Sequence, residues 1–135
     1  MTERTLVLIK PDGYLNHHIG HIITRIEEKG FKLVDMKMVQ ATDDMLKEHY
    51  NQLVGKPYFP GIVSYMESAP IVAMVVEGLG VVDEMHRMAG DTYPTKAAFG
   101  TIRGDYAIKT EGAIQNVVHT SDSVESAERE IAIWF

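Results

Sequence analysis

An α/β or α+β sandwich, one sheet of about four strands with helices packed on it, is the fold class this sequence predicts. Two observations carry that prediction. Short apolar runs at residues 5–9, 31–39 and 70–77 alternate with segments of helical periodicity. The 135 residues contain no internal repeat, low-complexity segment or linker, and splitting them would leave each half short of a core. One domain over residues 1–135 is therefore expected. Periodicity alone does not give the strand order.

Composition narrows the function classes. Hydrophobic residues at 45% and charged residues at 24% are ordinary for a soluble globular protein. A formal net charge of −6 argues against general nucleic-acid binding, which needs clustered Lys and Arg. It leaves room for a small phosphorylated ligand held by a few local cations. The absence of cysteine rules out disulfides and thiolate metal sites. The apolar runs at residues 6–9 and 71–76 are too short for a signal peptide core or a membrane span. A cytoplasmic protein is expected.

In chain order, residues 5–9 are apolar throughout, as in a central strand buried on both faces. The run ends at Lys10-Pro11-Asp12-Gly13, where proline and Asp-Gly signal a turn. Lys10 is read either as a solvated strand-end lysine or as a functional group on a rigid scaffold. Ile19, Ile22, Ile23 and Ile26 predict an amphipathic helix closed by Lys29-Gly30. His17, His18 and His21 at its start are solvated histidines or, less economically, part of a metal site. Residues 31–39 alternate, placing Val34, Met36 and Met38 on one face of a half-buried strand. Thr42-Asp43-Asp44 opens a helix carrying Leu46, His49 and Tyr50. In the Pro-rich loop that follows, Tyr58 and Phe59 suit stacking on a flat ligand or packing on a neighbouring helix. A short helix at 62–66, a strand at 70–77 and a helix at 79–89 come next, the last carrying His86 and Arg87 near its end. Residues 90–100, with Thr92, form a long loop of the kind usually kept for function. Arg103 stands between glycines, where backbone approaches a ligand closely, and residues 106–109 are the candidate last strand.

The chain converges on Asn116-Val117-Val118-His119-Thr120-Ser121-Asp122-Ser123. Asp122 and Glu125 read as a capping box, with Ser121 and Ser123 as further candidate caps, for a helix whose apolar face is Val124, Ala127, Ile131 and Trp134. His119 then lies in a loop facing a helix N-terminus, which attracts anions. A histidine before a capped helix is either structural or, as a partly unprotonated imidazole, a phosphoryl acceptor. Lys10, Arg87 and Arg103 supply phosphate-capable cations, and phosphoryl transfer is mostly positioning and charge stabilisation.

These stretches resemble the nucleoside diphosphate kinase family over essentially the whole chain. The similarity is carried by Glu3-Arg4-Thr5-Leu6, Ile9-Lys10-Pro11-Asp12-Gly13, Glu48-His49-Tyr50, Pro57-Tyr58-Phe59, Gly100-Thr101-Ile102-Arg103-Gly104-Asp105 and the histidine stretch with Glu130-Ile131. The resemblance implies a ferredoxin-like α+β fold with a four-stranded antiparallel sheet. It implies that His119 accepts the γ-phosphate of a nucleoside triphosphate and passes it to a diphosphate, a ping-pong mechanism. Lys10, Tyr50, Thr92, Arg103 and Asn116 match positions that hold phosphates or the ribose 3′-hydroxyl. Tyr58 matches the base-stacking aromatic, Ile62 an apolar neighbour, and Ser121 and Glu130 the pair orienting the histidine. Mg²⁺ is implied as cofactor, held mainly by the nucleotide phosphates, and a homo-oligomer is implied, a hexamer ahead of a tetramer.

Four departures from the family pattern stand out. The phosphate-clamping arginine position is His86 here, with the arginine displaced to Arg87. A helix turns roughly 100° per residue, so His86 is expected to face the phosphates and Arg87 to contribute weakly. Phe99 replaces a proline, the segment between Arg103 and His119 is about three residues longer, and the sequence ends at Trp134-Phe135. Two rival readings are a catalytically silent nucleotide-binding module and a metal binder built on His17, His18 and His21.

Overall fold

The computed structural model describes residues 2–135. The elements run β1 (Thr2–Ile9), α1 (Pro11–Leu15), α2 (Ile19–Lys29), β2 (Lys32–Val39), α3 (Asp43–His49), a 3₁₀ turn (Asn51–Leu53), α4 (Phe59–Met66), β3 (Ile71–Leu79), α5 (Val81–Ala89), α6 (Ile102–Tyr106), β4 (Val118–Thr120) and α7 (Val124–Trp134). The four strands form one antiparallel sheet in the order β2-β3-β1-β4. This is the ferredoxin-like α+β arrangement implied by the resemblance.

The central position of β1 explains its unbroken apolar run. Val7 and Ile9 pack with α2, α5 and α6 through Ile22, Ile26, Met85 and Ile102, whereas Leu6 and Leu8 pack on the other face with Leu46, Met66 and Trp134. The strand's alternation thus divides one apolar run between two cores. Helix α2 ends at Gly30 in the left-handed conformation (φ 99°), as its Lys-Gly signal predicts. The Thr42 hydroxyl caps α3 by accepting from the Met45 N–H.

Five local expectations are corrected. The Lys10-Pro11-Asp12-Gly13 turn is the start of the short helix α1, with proline at its first position. Residues 106–109 are not a strand: Thr101 caps α6, which absorbs Tyr106, and Ile108 is exposed. The fourth strand is β4, so His119 stands on a strand opposite Leu8 rather than in a loop. Asp122 lies outside the cap of α7, where Ser123 accepts from the Ser126 N–H at 3.0 Å. The face of β2 read as half-buried is solvent-facing, with Val34, Met36 and Met38 at 40%, 51% and 57% exposure. β2 is a sheet edge with a register shift between Leu33 and Asp35, and among the described residues no element buries that face.

Candidate active site

Four elements bring their ends to one cleft: the end of β1, the end of α3, the loop before α6 and the short strand β4. Lys10 follows the last residue of β1 and is buried, with Nζ donating to Asn116 Oδ1 at 2.8 Å. The Asn116 amide in turn donates to the Thr92 carbonyl at 2.9 Å, tying the long 90–100 loop to the cleft. Arg103, 5% exposed, donates to three carbonyls: Asn116 (3.2 Å), Gly90 (2.9 Å) and Val118 (2.7 Å). Gly104, read from sequence as a close-approach position for ligand, serves packing instead. A Cβ there would lie 1.8 Å from the Ala98 carbonyl oxygen.

Neither Lys10 nor Arg103 has a carboxylate within ion-pair distance among the described residues. Burial pulls both below their ordinary values, and the Arg103 charge adds to the effect on Lys10, which falls to about 7. Two buried cations side by side without a counter-ion are costly in the folded chain, and a polyanion relieves both.

His119 has its Nε2 2.8 Å from Glu130 Oε1, and the same oxygen accepts the Ser121 hydroxyl at 2.7 Å. Burial works to raise Glu130, but the hydrogen bonds from His119 and Ser121 outweigh it and hold the carboxyl below its usual range. An ionised Glu130 places the His119 proton on Nε2 and leaves the Nδ1 lone pair free. Ser121 is itself fixed, its oxygen accepting the Leu6 N–H at 3.2 Å.

The edge of His49 meets the His119 ring at 4.5 Å between centroids, inclined by 76°. His49, His119 and Glu130 are the one trio among the described residues whose ligand atoms gather closely enough for a metal. The trio does not offer three donors, because the Trp134 N–H occupies His49 Nδ1 and the ring proton is therefore on Nε2. The His17, His18 and His21 group forms no such cluster; His18 stacks on Tyr106 at 4.4 Å.

Lys10, Tyr50, His86, Thr92, Arg103, Asn116, His119 and Glu130 line a cavity of about 630 Å³. Ser121 lies buried behind it. Tyr50 closes α3 edge-on to His49, and burial first, then the Glu130 charge, pushes its hydroxyl up. A second cavity of about 510 Å³ shares Lys10, Tyr50, Thr92 and Asn116 and continues to Tyr58, Ile62, Tyr93 and Ile114. One compartment is cationic and the other largely apolar, the division a phosphorylated nucleoside requires. His86 lines the first compartment, with Nδ1 3.3 Å from Thr120 Oγ1. Arg87, carried over as a substrate-binding residue, lies outside both compartments and pairs with Glu84 at 2.7 Å, because one step along α5 turns it away. Sequence reasoning assigned no role to His49 or Asp12. Both lay within quoted motifs, but only tertiary packing shows their partners.

Fold and cleft together define a phosphotransferase. The family profile described as "Nucleoside diphosphate kinase" matches residues 3–135. "Nucleoside diphosphate kinase A 1" of Bos taurus is 54% identical over 134 residues, covering 99% of this chain and 86% of that protein. "Nucleoside diphosphate kinase A" of Homo sapiens is 53% identical over 133 residues, covering 98% and 86%. Among solved structures, a Borrelia burgdorferi nucleoside-diphosphate kinase with bound vanadate and ADP, described as a transition-state mimic, superposes with a TM-score of 0.93. It is 32% identical, over 99% of this chain and 87% of that one. The apo enzyme of Encephalitozoon cuniculi gives 0.90 at 41% identity, over 98% and 88%. The chain belongs to the nucleoside diphosphate kinase family.

Proposed function

We propose that this chain transfers the γ-phosphate of a nucleoside triphosphate, ATP among them, to a nucleoside diphosphate by a ping-pong route through phospho-His119. The observation that carries the reading is the pair of buried, unpaired cations, Lys10 and Arg103, in the same cleft as a histidine whose Nδ1 is free. The Nδ1 lone pair attacks the γ-phosphorus, the bond to the bridging oxygen breaks, and the diphosphate leaves with that oxygen. A second diphosphate then attacks the same phosphorus through its terminal β-oxygen, and the N–P bond returns its electrons to Nδ1. Glu130 stabilises the positive charge that develops on the ring, and Ser121 keeps Glu130 in place. Lys10, Arg103, Asn116, Tyr50 and Thr92 surround the phosphates and the ribose 3′-hydroxyl, Tyr58 stacks on the base, and Ile62 flanks it. His86 stands where a phosphate oxygen passes, and Arg87 contributes little. That the Borrelia neighbour binds ADP and vanadate supports a nucleotide phosphate as the ligand of this fold.

The donor set fits Mg²⁺ that arrives on the nucleotide. Glu130 is engaged by His119 and Ser121, and Asp122 is the other carboxylate lining the cavity, so the chain offers no cage of free carboxylates. Carried in on the nucleotide, Mg²⁺ would supply positive charge to offset that of the phosphates. A homo-oligomer is supported by the exposed Val34, Met36 and Met38 edge and by Phe99 at 93% exposure, and the family resemblance puts a hexamer ahead of a tetramer. Light scattering that shows a monomer removes that part of the proposal. Among the described residues no helix is long and apolar enough to cross a membrane. Action on the cytoplasmic nucleotide pool, without membrane or specific nucleic-acid partners, is the setting proposed. Incubation with γ-labelled ATP and no acceptor tests the core claim. Acid-labile, base-stable label on the wild-type chain and none on His119→Ala is expected; label that survives acid, or none at all, overturns it.

A further inference from the structure

Val117 adopts a left-handed backbone conformation, with φ 73°, although it is β-branched and 1% exposed. Such a residue avoids this region unless its surroundings impose it. The conformation has a geometrical consequence for the cleft. In an extended strand, residues separated by an odd number of positions face opposite sides. Asn116 and His119 are separated in that way, yet both line the same cavity. Correspondingly, Val117 and Val118 are successive residues that pack in one core cluster. The left-handed residue breaks the alternation, and the break turns Asn116 to the His119 side.

Asp12 is placed to impose this. Its Oδ2 accepts the Val117 N–H at 3.1 Å, and its Oδ1 accepts the Tyr65 hydroxyl at 2.5 Å. The carboxylate is 8% exposed and forms no ion pair among the described residues. The Val117 carbonyl accepts the Lys10 N–H at 2.7 Å, so both peptide groups of the strained residue are held by the segment that carries Lys10. Helix α1 presses on the same spot: a Cβ on Gly13 would stand 2.6 Å from Ile9 Cγ2 and 3.4 Å from Val117 Cγ1.

We propose that Asp12 is a positioning residue for phosphoryl transfer: its carboxylate holds Val117 in the left-handed conformation that brings Asn116 and His119 to one side of the cleft. The proposal rests on the reading of His119 as phosphoryl acceptor. Its rival is that Asp12 acts only through its charge on Lys10.

Three variants separate the two: Asp12→Ala, Asp12→Asn and the double change Asp12→Ala with Val117→Gly. A misplacement of about 1 Å costs on the order of 10² in rate, so Asp12→Ala is expected to lose about that factor, chiefly in kcat. Asp12→Asn keeps an oxygen for the Val117 N–H while losing the charge, and activity within about fivefold of wild type is expected. Glycine takes positive φ freely, so the double variant is expected to recover about tenfold over Asp12→Ala. Asp12→Asn as damaged as Asp12→Ala overturns the proposal in favour of the charge on Lys10. Should Asp12→Ala or the double variant not fold, Asp12→Asn alone decides, with about 10²-fold loss as the overturning result. A crystal structure of Asp12→Ala reads the claim without catalysis: φ at 117 leaves the left-handed region if Asp12 imposes it, and an unchanged φ overturns it. Absence of phosphohistidine on the wild-type chain, by contrast, removes the functional reading.

Discussion

The rings of Trp134 and His49 are joined, the indole N–H of Trp134 donating to His49 Nδ1 at 3.0 Å. Burial first, and then the charges of His119 and Lys10, push the His49 imidazole down to about 2. The unfolded chain binds a proton at this residue below about 6.5 while the folded chain does not. Stability is therefore full above that pH and falls as the solution is acidified, by up to about 1.4 kcal/mol per pH unit from this residue. Denaturant midpoints at pH 7, 6 and 5 measure it. His49→Asn, whose Oδ1 takes the place of Nδ1 as acceptor for Trp134, is expected to show a shallower decline, and an identical decline in both proteins contradicts the assignment.

Lys10 is expected to govern the alkaline side of activity. Its value of about 7 means that the ammonium is charged below neutrality and loses its proton as the pH rises. A phosphate is bound by the charged form, so kcat/KM for a nucleoside diphosphate should fall above about pH 7, while kcat, which reports the occupied enzyme, should fall less. A profile of kcat/KM that rises through pH 8 to 9 contradicts this.

Arg103→Ala should lower kcat by about 10²–10³, the scale of losing one preorganised charge-stabilising group. It should also lower the melting temperature, because the carbonyls of Gly90, Asn116 and Val118 all lose a donor. A kcat within about threefold of wild type places Arg103 outside the chemistry.

The displaced arginine is tested by a pair of substitutions. His86→Ala should raise KM for the diphosphate by several-fold, on the order of one hydrogen bond. Arg87→Ala should change it by less than about twofold, since its partner is Glu84 on the surface. The reverse ranking shows that the end of α5 shifts when nucleotide enters. His86→Arg should increase kcat/KM if the rest of the phosphate site is unchanged.

Much of the fold was legible because single elements carried their own signals. The run Leu6-Val7-Leu8-Ile9 has no polar face, so a strand with cores on both sides was the one economical reading. Thr42 and Gly30 announced helix ends through local chemistry. What failed depended on distant partners. Val34, Met36 and Met38 have the alternation of a half-buried strand, but alternation cannot say whether any element covers the face. Tyr106 to Lys109 could by itself be a strand, but the Thr101 cap begins α6, which takes up Tyr106. Strand β4 is three residues long, too short for a period to show. The motifs gathered the cleft residues, whereas Asp12, His49 and Tyr65 gain meaning only from contacts made across the fold.

The two unpaired cations also make heat resistance a property of the occupied protein. Lys10 and Arg103 repel each other inside the empty cleft, and a bound polyphosphate cancels that repulsion along with their lost hydration. A ligand present at a hundred times its dissociation constant adds about 2.7 kcal/mol of stability by mass action. The same attraction that draws a nucleotide in therefore hardens the fold around it, and a depleted nucleotide pool leaves a softer protein that is easier to unfold and digest.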